Sequence, residues 1–170
     1  MKEYIKVPLE RISVIIGPDG KVIKFIEEKS STSININSQT GEVEIDIKDP
    51  IKGLRTKDVI NAIASGFSPD KVFRLFDDNL LIFETINISN IAKSEKTIER
   101  MKGRIIGGTG KTRKIFESIT GVLISVYGKT ISMIGYSEQN KVARIGIDKL
   151  LKGSHHKTVY KFLEQNTLAK

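Results

Sequence analysis

The chain has 170 residues, of which 39% are hydrophobic and 28% are charged, and its formal net charge at pH 7 is +8. This is the composition of an ordinary globular protein with a core of its own. Because there is no cysteine, disulfides, thiolate nucleophiles and Cys-based zinc or iron-sulfur sites are excluded. No run approaches the ~20 apolar residues of a membrane-spanning helix, and no signal peptide is recognisable, so we expect a soluble cytoplasmic protein with no membrane partner.

Taken in chain order, the apolar spacing predicts a first unit of six elements. They are a strand at Tyr4–Val7, a short helix over Leu9–Ile15, a helix over Val22–Ile26, strands at Ile34–Asn37 and Val43–Ile47, and a helix from about Thr56 to Ser65. A short connecting helix is predicted after a helix stop at Gly66.

The second half of the chain repeats this order. Its elements are a strand near Leu80–Ile88, helices near Ser94–Lys102 and Lys111–Ile119, strands near Val122–Tyr127 and Thr130–Ile134, and a helix from Ser137 to about Leu151. Both units therefore have the order β-α-α-β-β-α, an α+β fold with a three-stranded sheet packed on three helices. We place the first domain, with its connecting helix, at residues 1–78 and the second, with a C-terminal helical extension, at residues 79–170.

The two units are also related residue by residue. At an offset of 90 residues, Ile15–Lys21 aligns without gaps to Ile105–Lys111, and the register continues to Glu27 with Glu117. Two copies at this spacing are too few and too long for a solenoid, so the pattern indicates duplication of a compact domain.

Positive charge is concentrated in the second copy. Residues 1–90 hold 12 lysines and arginines against 14 acidic residues, whereas residues 91–170 hold 16 against 6. A stretch so rich in cations is typical of a polyanion-binding surface, although a solvated helix face would give the same pattern. The only histidines, His155 and His156, are adjacent and point to different sides of a helix, so no metal site is predicted.

Each unit has a Gly-x-x-Gly motif between its first two helices, at Gly17–Gly20 and Gly107–Gly110. Glycine removes side-chain bulk, and the N–H groups and dipole at the start of the following helix favour a phosphate. For one such motif alone, a plain turn between two core helices is the commoner interpretation. Two copies in the same order of elements instead resemble tandem type I KH domains, in which this loop clamps the backbone of about four nucleotides of single-stranded RNA.

The second turn is predicted to bind RNA most strongly. Its predicted RNA-binding residues are Arg104, Ile106, Gly107, Gly108, Thr109, Gly110, Lys111, Thr112, Arg113 and Lys114. In the first turn, Asp19 puts a carboxylate where a phosphate would lie, so only weaker binding is predicted there. The residues of that weaker site are Ile16, Gly17, Pro18, Asp19, Gly20, Lys21 and Lys24.

The segment Gly110-Lys111-Thr112 is similar to the end of a P-loop. The first glycine of that motif would fall on Ile105, and a helix is predicted before the turn where a P-loop has a buried strand. A nucleotide hydrolase is therefore a weak alternative. We predict no catalytic residue and no cofactor.

Three stretches resemble one family in particular. They are Arg104–Gly121, Gly66-Phe67-Ser68-Pro69 with Arg74–Asp78, and Gly153-Ser154-His155-His156 with Val159–Leu163. They are similar to the small-ribosomal-subunit assembly proteins of archaea and eukaryotes that partner the endonuclease maturing the 3′ end of small-subunit rRNA. The resemblance implies binding to the 3′ region of 16S-type rRNA, and partnership with that endonuclease and with other small-subunit assembly or initiation factors.

Two alternatives stay open from the sequence. A general RNA chaperone or RNA-degradation adaptor would use the same domains on many single strands. For His155, His156 and Tyr160, helix capping and core packing are favoured over RNA contact.

Overall fold

A computed structural model describes residues 1–167 of the chain. The chain forms two compact units, Met1–Asn79 and the part that begins at Leu80. No helix within the described residues combines the length and the apolar character that crossing a bilayer requires.

The first unit contains one antiparallel sheet and five helices. Its elements are β1 (Lys2–Lys6), α1 (Ile12–Ile16), α2 (Lys21–Ser30), β2 (Ser33–Ile36), β3 (Glu42–Asp46), α3 (Pro50–Ala64), α4 (Pro69–Val72) and α5 (Arg74–Asp77). The strand order is β1-β3-β2. Strand β3 alternates as predicted, with Val43 and Ile45 fully buried and Glu44 turned to the more exposed face.

The second unit repeats the order β-α-α-β-β-α and continues into one further helix, where the first unit continues into α4 and α5. Its elements are β4 (Leu81–Asn87), α6 (Glu95–Ile106), α7 (Lys111–Thr120), β5 (Leu123–Tyr127), β6 (Thr130–Tyr136), α8 (Ser137–Leu151) and α9 (His156–Asn166). The strand order, β4-β6-β5, matches that of the first unit. Helix α9 is part of the core of this unit, because Val159 and Leu163 are fully buried in the same apolar cluster as Phe116.

The predicted α+β class and the order β-α-α-β-β-α are confirmed in both units. One boundary differs, since α3 begins at Pro50 and not near Thr56. The Asp49 side chain accepts a hydrogen bond from the Ile51 N–H at 3.0 Å, and Pro50 takes the first helical position, where no backbone N–H is needed. The connecting helix is divided into α4 and α5, and the Phe73 ring packs 4.4 Å from that of Phe25 on α2.

Candidate nucleic-acid interface

The two Gly-x-x-Gly turns have the same backbone conformation. In the second unit φ and ψ are 75° and 172° at Gly107, 57° and 26° at Thr109, and 76° and 15° at Gly110. In the first unit they are 75° and 173° at Gly17, 54° and 27° at Asp19, and 71° and 17° at Gly20. The turns therefore differ in side-chain chemistry and not in shape.

Gly107 allows the chain to fold tightly onto the start of the next helix. A Cβ atom at this position would lie 2.7 Å from the Thr112 backbone nitrogen, and its positive φ would strain any other residue. A Cβ on Gly108, by contrast, would meet no atom within 4 Å. Gly108 and Thr109 are exposed, so the tip of the turn is open to a ligand.

Thr109 adopts a left-handed conformation that is unusual for a β-branched residue. Its hydroxyl donates a hydrogen bond to the Gly108 carbonyl at 2.6 Å, which partly offsets the cost of this backbone conformation. Left-handed backbone costs roughly 1–2 kcal/mol for such a residue. Backbone strain of this kind is found at ligand-binding turns, where function maintains it.

Helix α7 begins directly after the turn, and among the described residues no side chain caps its N-terminus. Its first N–H groups and its positive dipole end therefore face the open turn. Lys111 and Lys114 are exposed and form no ion pair with any described residue. Arg113 differs, because its Nη1 lies 2.9 Å from Glu117 Oε1. Two lysines thus supply the uncompensated charge at this helix start.

Arg104 forms hydrogen bonds between separate elements of the second unit. Its Nε donates to the Leu150 carbonyl at 2.8 Å, and its Nη2 donates to the Ser154 carbonyl. Helix α6 is thereby tied to the connection between α8 and α9. Arg11 makes similar bonds in the first unit, to the Ile63 and Phe67 carbonyls, both at 2.9 Å. These bonds orient the helix that leads into each turn.

The remaining predicted residues of the second site differ in exposure. Ile106 is half-buried, which leaves part of an aliphatic side chain beside the turn. Thr112 is only 4% exposed, and its Oγ1 accepts a hydrogen bond from the Tyr160 hydroxyl at 3.3 Å. The Thr112 side chain is therefore buried and bonded inside the second unit.

In the first unit, Pro18 and Asp19 form the exposed tip of the turn, and Ile16 is half-buried like Ile106. Lys21 and Lys24 are exposed on α2 in the positions of Lys111 and Lys114. The carboxylate of Asp19 thus occupies the place of the neutral Thr109 side chain.

The sequence analysis favoured helix capping and core packing for His155, His156 and Tyr160, and it did not place α9 beside the second turn. His156 Nε2 donates to the Arg104 carbonyl at 3.0 Å, and the Tyr160 ring packs edge-on against Phe116 at 6.4 Å. His155 occupies the N-cap position of α9 without a side-chain capping bond. The signal present in the sequence was the spacing of four residues between His156 and Tyr160, which puts both on one face of a helix.

Within residues 1–167 no group of three or more His, Cys, Asp or Glu side chains is arranged to hold a metal ion. Gly110-Lys111-Thr112 follows helix α6 and a 3-10 turn, with Ile105 inside α6. A P-loop would need a strand there, so this segment has the wrong structural context for one.

Comparison with known proteins supports the duplication. Residues 82–167 match the eukaryotic-type KH domain, type I, and residues 2–64 match the KH domain. A KH domain-containing protein of Methanocaldococcus jannaschii is 38% identical over 167 residues, which cover 96% of this chain and 73% of that protein. The RNA-binding protein PNO1 of Oryzias latipes is 27% identical, and the match covers 92% of this chain and 66% of that protein.

A solved structure gives the same result. The aDim2p chain in the complex of a/eIF2alpha, aDim2p and rRNA from Pyrococcus horikoshii superposes with a TM-score of 0.89 at 41% identity, covering 97% of this chain and 93% of that one. The matches extend over both units and agree with the order of elements in each. The chain therefore belongs to the family of two-KH-domain proteins that includes archaeal Dim2p and eukaryotic PNO1.

Proposed function

We propose that this protein binds unpaired small-subunit rRNA near its 3′ end during ribosome assembly, and that the second KH domain supplies most of the affinity. The observation that carries the proposal is the open turn at Gly107–Gly110. Within residues 1–167, the helix after it has no side-chain cap, and its Lys111 and Lys114 form no ion pair. Its relative aDim2p has been solved in complex with rRNA. RNA is thus the ligand that both the chemistry of the turn and the family favour.

Each predicted residue has a distinct part in this proposal. Gly107, Gly108 and Gly110 let the sugar-phosphate chain approach the backbone, while Lys111 and Lys114 neutralise phosphates. Ile106 offers an aliphatic surface to a base. Arg104 and Arg113 are held by carbonyl and carboxylate partners, so they position the turn and add to its field.

The first KH domain has a weaker part. Asp19 sits at the tip of a turn with the same backbone shape, where its negative charge opposes a phosphate. Lys21 and Lys24 offset that charge only in part. We assign this domain orientation, weak RNA contacts or a protein-binding surface.

The partners follow from the same reading. The solved complex of a/eIF2alpha, aDim2p and rRNA supports a place among small-subunit assembly or initiation factors for this chain. We further propose that it cooperates with the rRNA 3′-end endonuclease in the cytoplasm and performs no catalysis itself.

Charge reversal in the two domains tests the proposal. The double variant Lys111→Glu/Lys114→Glu and its matched control Lys21→Glu/Lys24→Glu make the same charge change at corresponding positions. Binding of a 16S 3′-end oligonucleotide, followed by fluorescence anisotropy, should be largely lost in the former and largely kept in the latter. Equal loss in both would refute the asymmetry, and a wild-type protein that ignores unpaired RNA at low ionic strength would refute the function.

Salt dependence and competition refine the result. If the single strand contacts about five phosphates, the logarithm of affinity should fall against the logarithm of salt concentration with a slope near −3.5. A scrambled oligonucleotide of the same composition should compete poorly. Equal competition would instead identify a general RNA chaperone or degradation adaptor.

A further inference from the structure

An open cleft of about 500 Å³ lies beside the Gly107–Gly110 turn, between α6 and α9. Arg100 comes from α6, Lys111 from the start of α7, and His156 and Tyr160 from α9. Helix α9 is additional to the repeated β-α-α-β-β-α unit. One wall of this cleft is the turn itself, and the other is α9, which the repeated KH unit does not contain.

The cleft has an unbalanced positive charge. Arg100, Arg104 and Lys111 line it, and none of its lining residues within the described chain is acidic. Arg100 and Lys111 are exposed and form no ion pair with residues 1–167. The nearby acid Glu99 lies 3.6 Å from the Lys102 ammonium group, outside the cleft lining. Such a site favours an anion.

The polar groups of α9 are oriented by the fold. A carbonyl oxygen only accepts, so the bond from His156 Nε2 to the Arg104 carbonyl places the ring proton on Nε2. The other ring nitrogen, Nδ1, has no hydrogen-bond partner among the residues described. Tyr160 is held by its bond to Thr112 and by its contact with the Phe116 ring. The cleft thus has fixed polar groups besides its charge.

The first unit does not reproduce this chemistry. The 90-residue register puts Glu10 at the position of Arg100. After the strands the offset is 87 residues, since α3 begins at Pro50 and α8 at Ser137, which puts Pro69 at the position of His156 and Phe73 at that of Tyr160. In the first unit Glu10 thus replaces the cation Arg100, and the first unit has neither the histidine nor the tyrosine that α9 supplies. The cleft is therefore specific to the second domain.

We infer that this cleft binds a phosphodiester of the RNA backbone, the one directly beyond the nucleotides held on the turn. Arg100 and Lys111 neutralise the phosphate, and His156 and Tyr160 form the opposite wall. The inference rests on the proposed function, because the cleft continues the surface of the turn. It extends the binding site from the KH fold onto α9.

The test compares RNA length in two single-charge variants. Arg100→Gln removes one of the three cations that line the cleft. Lys96→Gln removes an exposed cation one turn earlier on the same helix, and this lysine forms no ion pair within residues 1–167. Binding of each variant is measured with a four-nucleotide RNA and with six-nucleotide RNAs that extend it by two residues at the 5′ or the 3′ end. Salt slopes are recorded for every pair.

With one of the extended RNAs, Arg100→Gln should weaken binding about three- to tenfold more than Lys96→Gln does. The salt slope should become shallower by about 0.7, the value for one lost phosphate contact on a single strand. If the two variants behave alike with all three RNAs while the wild type binds them, the inference is overturned and the proposed function stands. If the wild type binds none of them, the proposed function fails and the inference falls with it.

Discussion

Glu117 and Ile124 are joined by a hydrogen bond in which the Ile124 N–H donates to the carboxylate at 2.8 Å. The first unit repeats it, with the Ile34 N–H donating to Glu27 at 2.9 Å. Each bond ties the second helix of its unit to the first residues of the next strand. Duplication has therefore kept a specific contact, and not only the order of elements.

Removing this carboxylate should loosen the start of β5. Glu117→Ala leaves the N–H of Ile124, a residue only 3% exposed, without its partner, which costs about 1–3 kcal/mol. Amide hydrogen exchange at Ile124 should accelerate about five- to 150-fold, and Glu27→Ala should do the same at Ile34. An unchanged exchange rate at both amides would show that these bonds contribute nothing to stability.

A reciprocal exchange between the turns separates binding from folding. Asp19 shows that aspartate adopts the conformation of residue 109, so Thr109→Asp should fold normally. A charge about 4 Å from a phosphate costs about 1 kcal/mol in bulk water and about 4 kcal/mol near a protein surface. We expect Thr109→Asp to weaken RNA binding at least about fivefold with no fall in Tm.

Thr109→Asn is the matched control, because asparagine is neutral and tolerates left-handed backbone. It should keep wild-type RNA affinity, and Asp19→Thr should strengthen binding by the first domain. If Thr109→Asn lost as much affinity as Thr109→Asp, the hydroxyl and not the charge would decide binding.

The order of elements could be predicted because each depends on neighbouring residues. Helix α8 was predicted at Ser137–Leu151, which are its bounds in the structure. The start of α3 was missed because its signal is a single capping pair, Asp49 and Pro50, outside the apolar pattern. Local sequence patterns therefore predict the type and order of the elements more reliably than they predict the residue at which each element begins.

The side-chain roles at the site were less predictable. Counting cations gave Arg104 and Lys111 equal weight, yet Arg104 bonds to the Leu150 carbonyl, 46 residues away in sequence. A partner so distant follows from tertiary packing and leaves no local signal. The contacts of His156 and Tyr160 with the ends of the turn arise in the same way.

A third left-handed residue other than glycine, Ser31, offers a gain in stability. It ends α2 with φ of 53°, where the equivalent residue of α7 is Gly121 with φ of 78°. Glycine adopts this conformation without steric cost, so Ser31→Gly should stabilise the protein by about 1 kcal/mol. Chemical denaturation measures the change. Gly121→Ser should have the opposite sign, and its new Cβ would also lie 3.0 Å from the Gln139 side-chain nitrogen.

Asp58 on α3 should make stability fall as pH rises from the acid range. Burial raises the pKa of its carboxyl above the usual 3.8, against the opposing charges of Arg55 and Lys57. The folded state therefore binds this proton more tightly than the unfolded state does. The contribution of this carboxyl to the free energy of unfolding is fully present below pH 3.8 and is lost as pH rises through the folded pKa. Asp58→Asn keeps the shape without the titration, so it should be more stable than wild type at pH 7, with the advantage disappearing near pH 3.

Asp70 provides a control of opposite sign. A hydrogen bond from the Ser68 side chain lowers the pKa of this carboxyl below 3.8, so its contribution is present above that value and lost as pH falls through the folded pKa. Asp70→Asn should therefore reduce stability at pH 7 and lose that effect in acid. Unfolding free energies of wild type and both variants across pH 2–7 give the comparison. If Asp58→Asn and Asp70→Asn changed stability in the same direction at pH 7, burial would not govern the Asp58 carboxyl, because the two carboxyls differ in the sign of their shift.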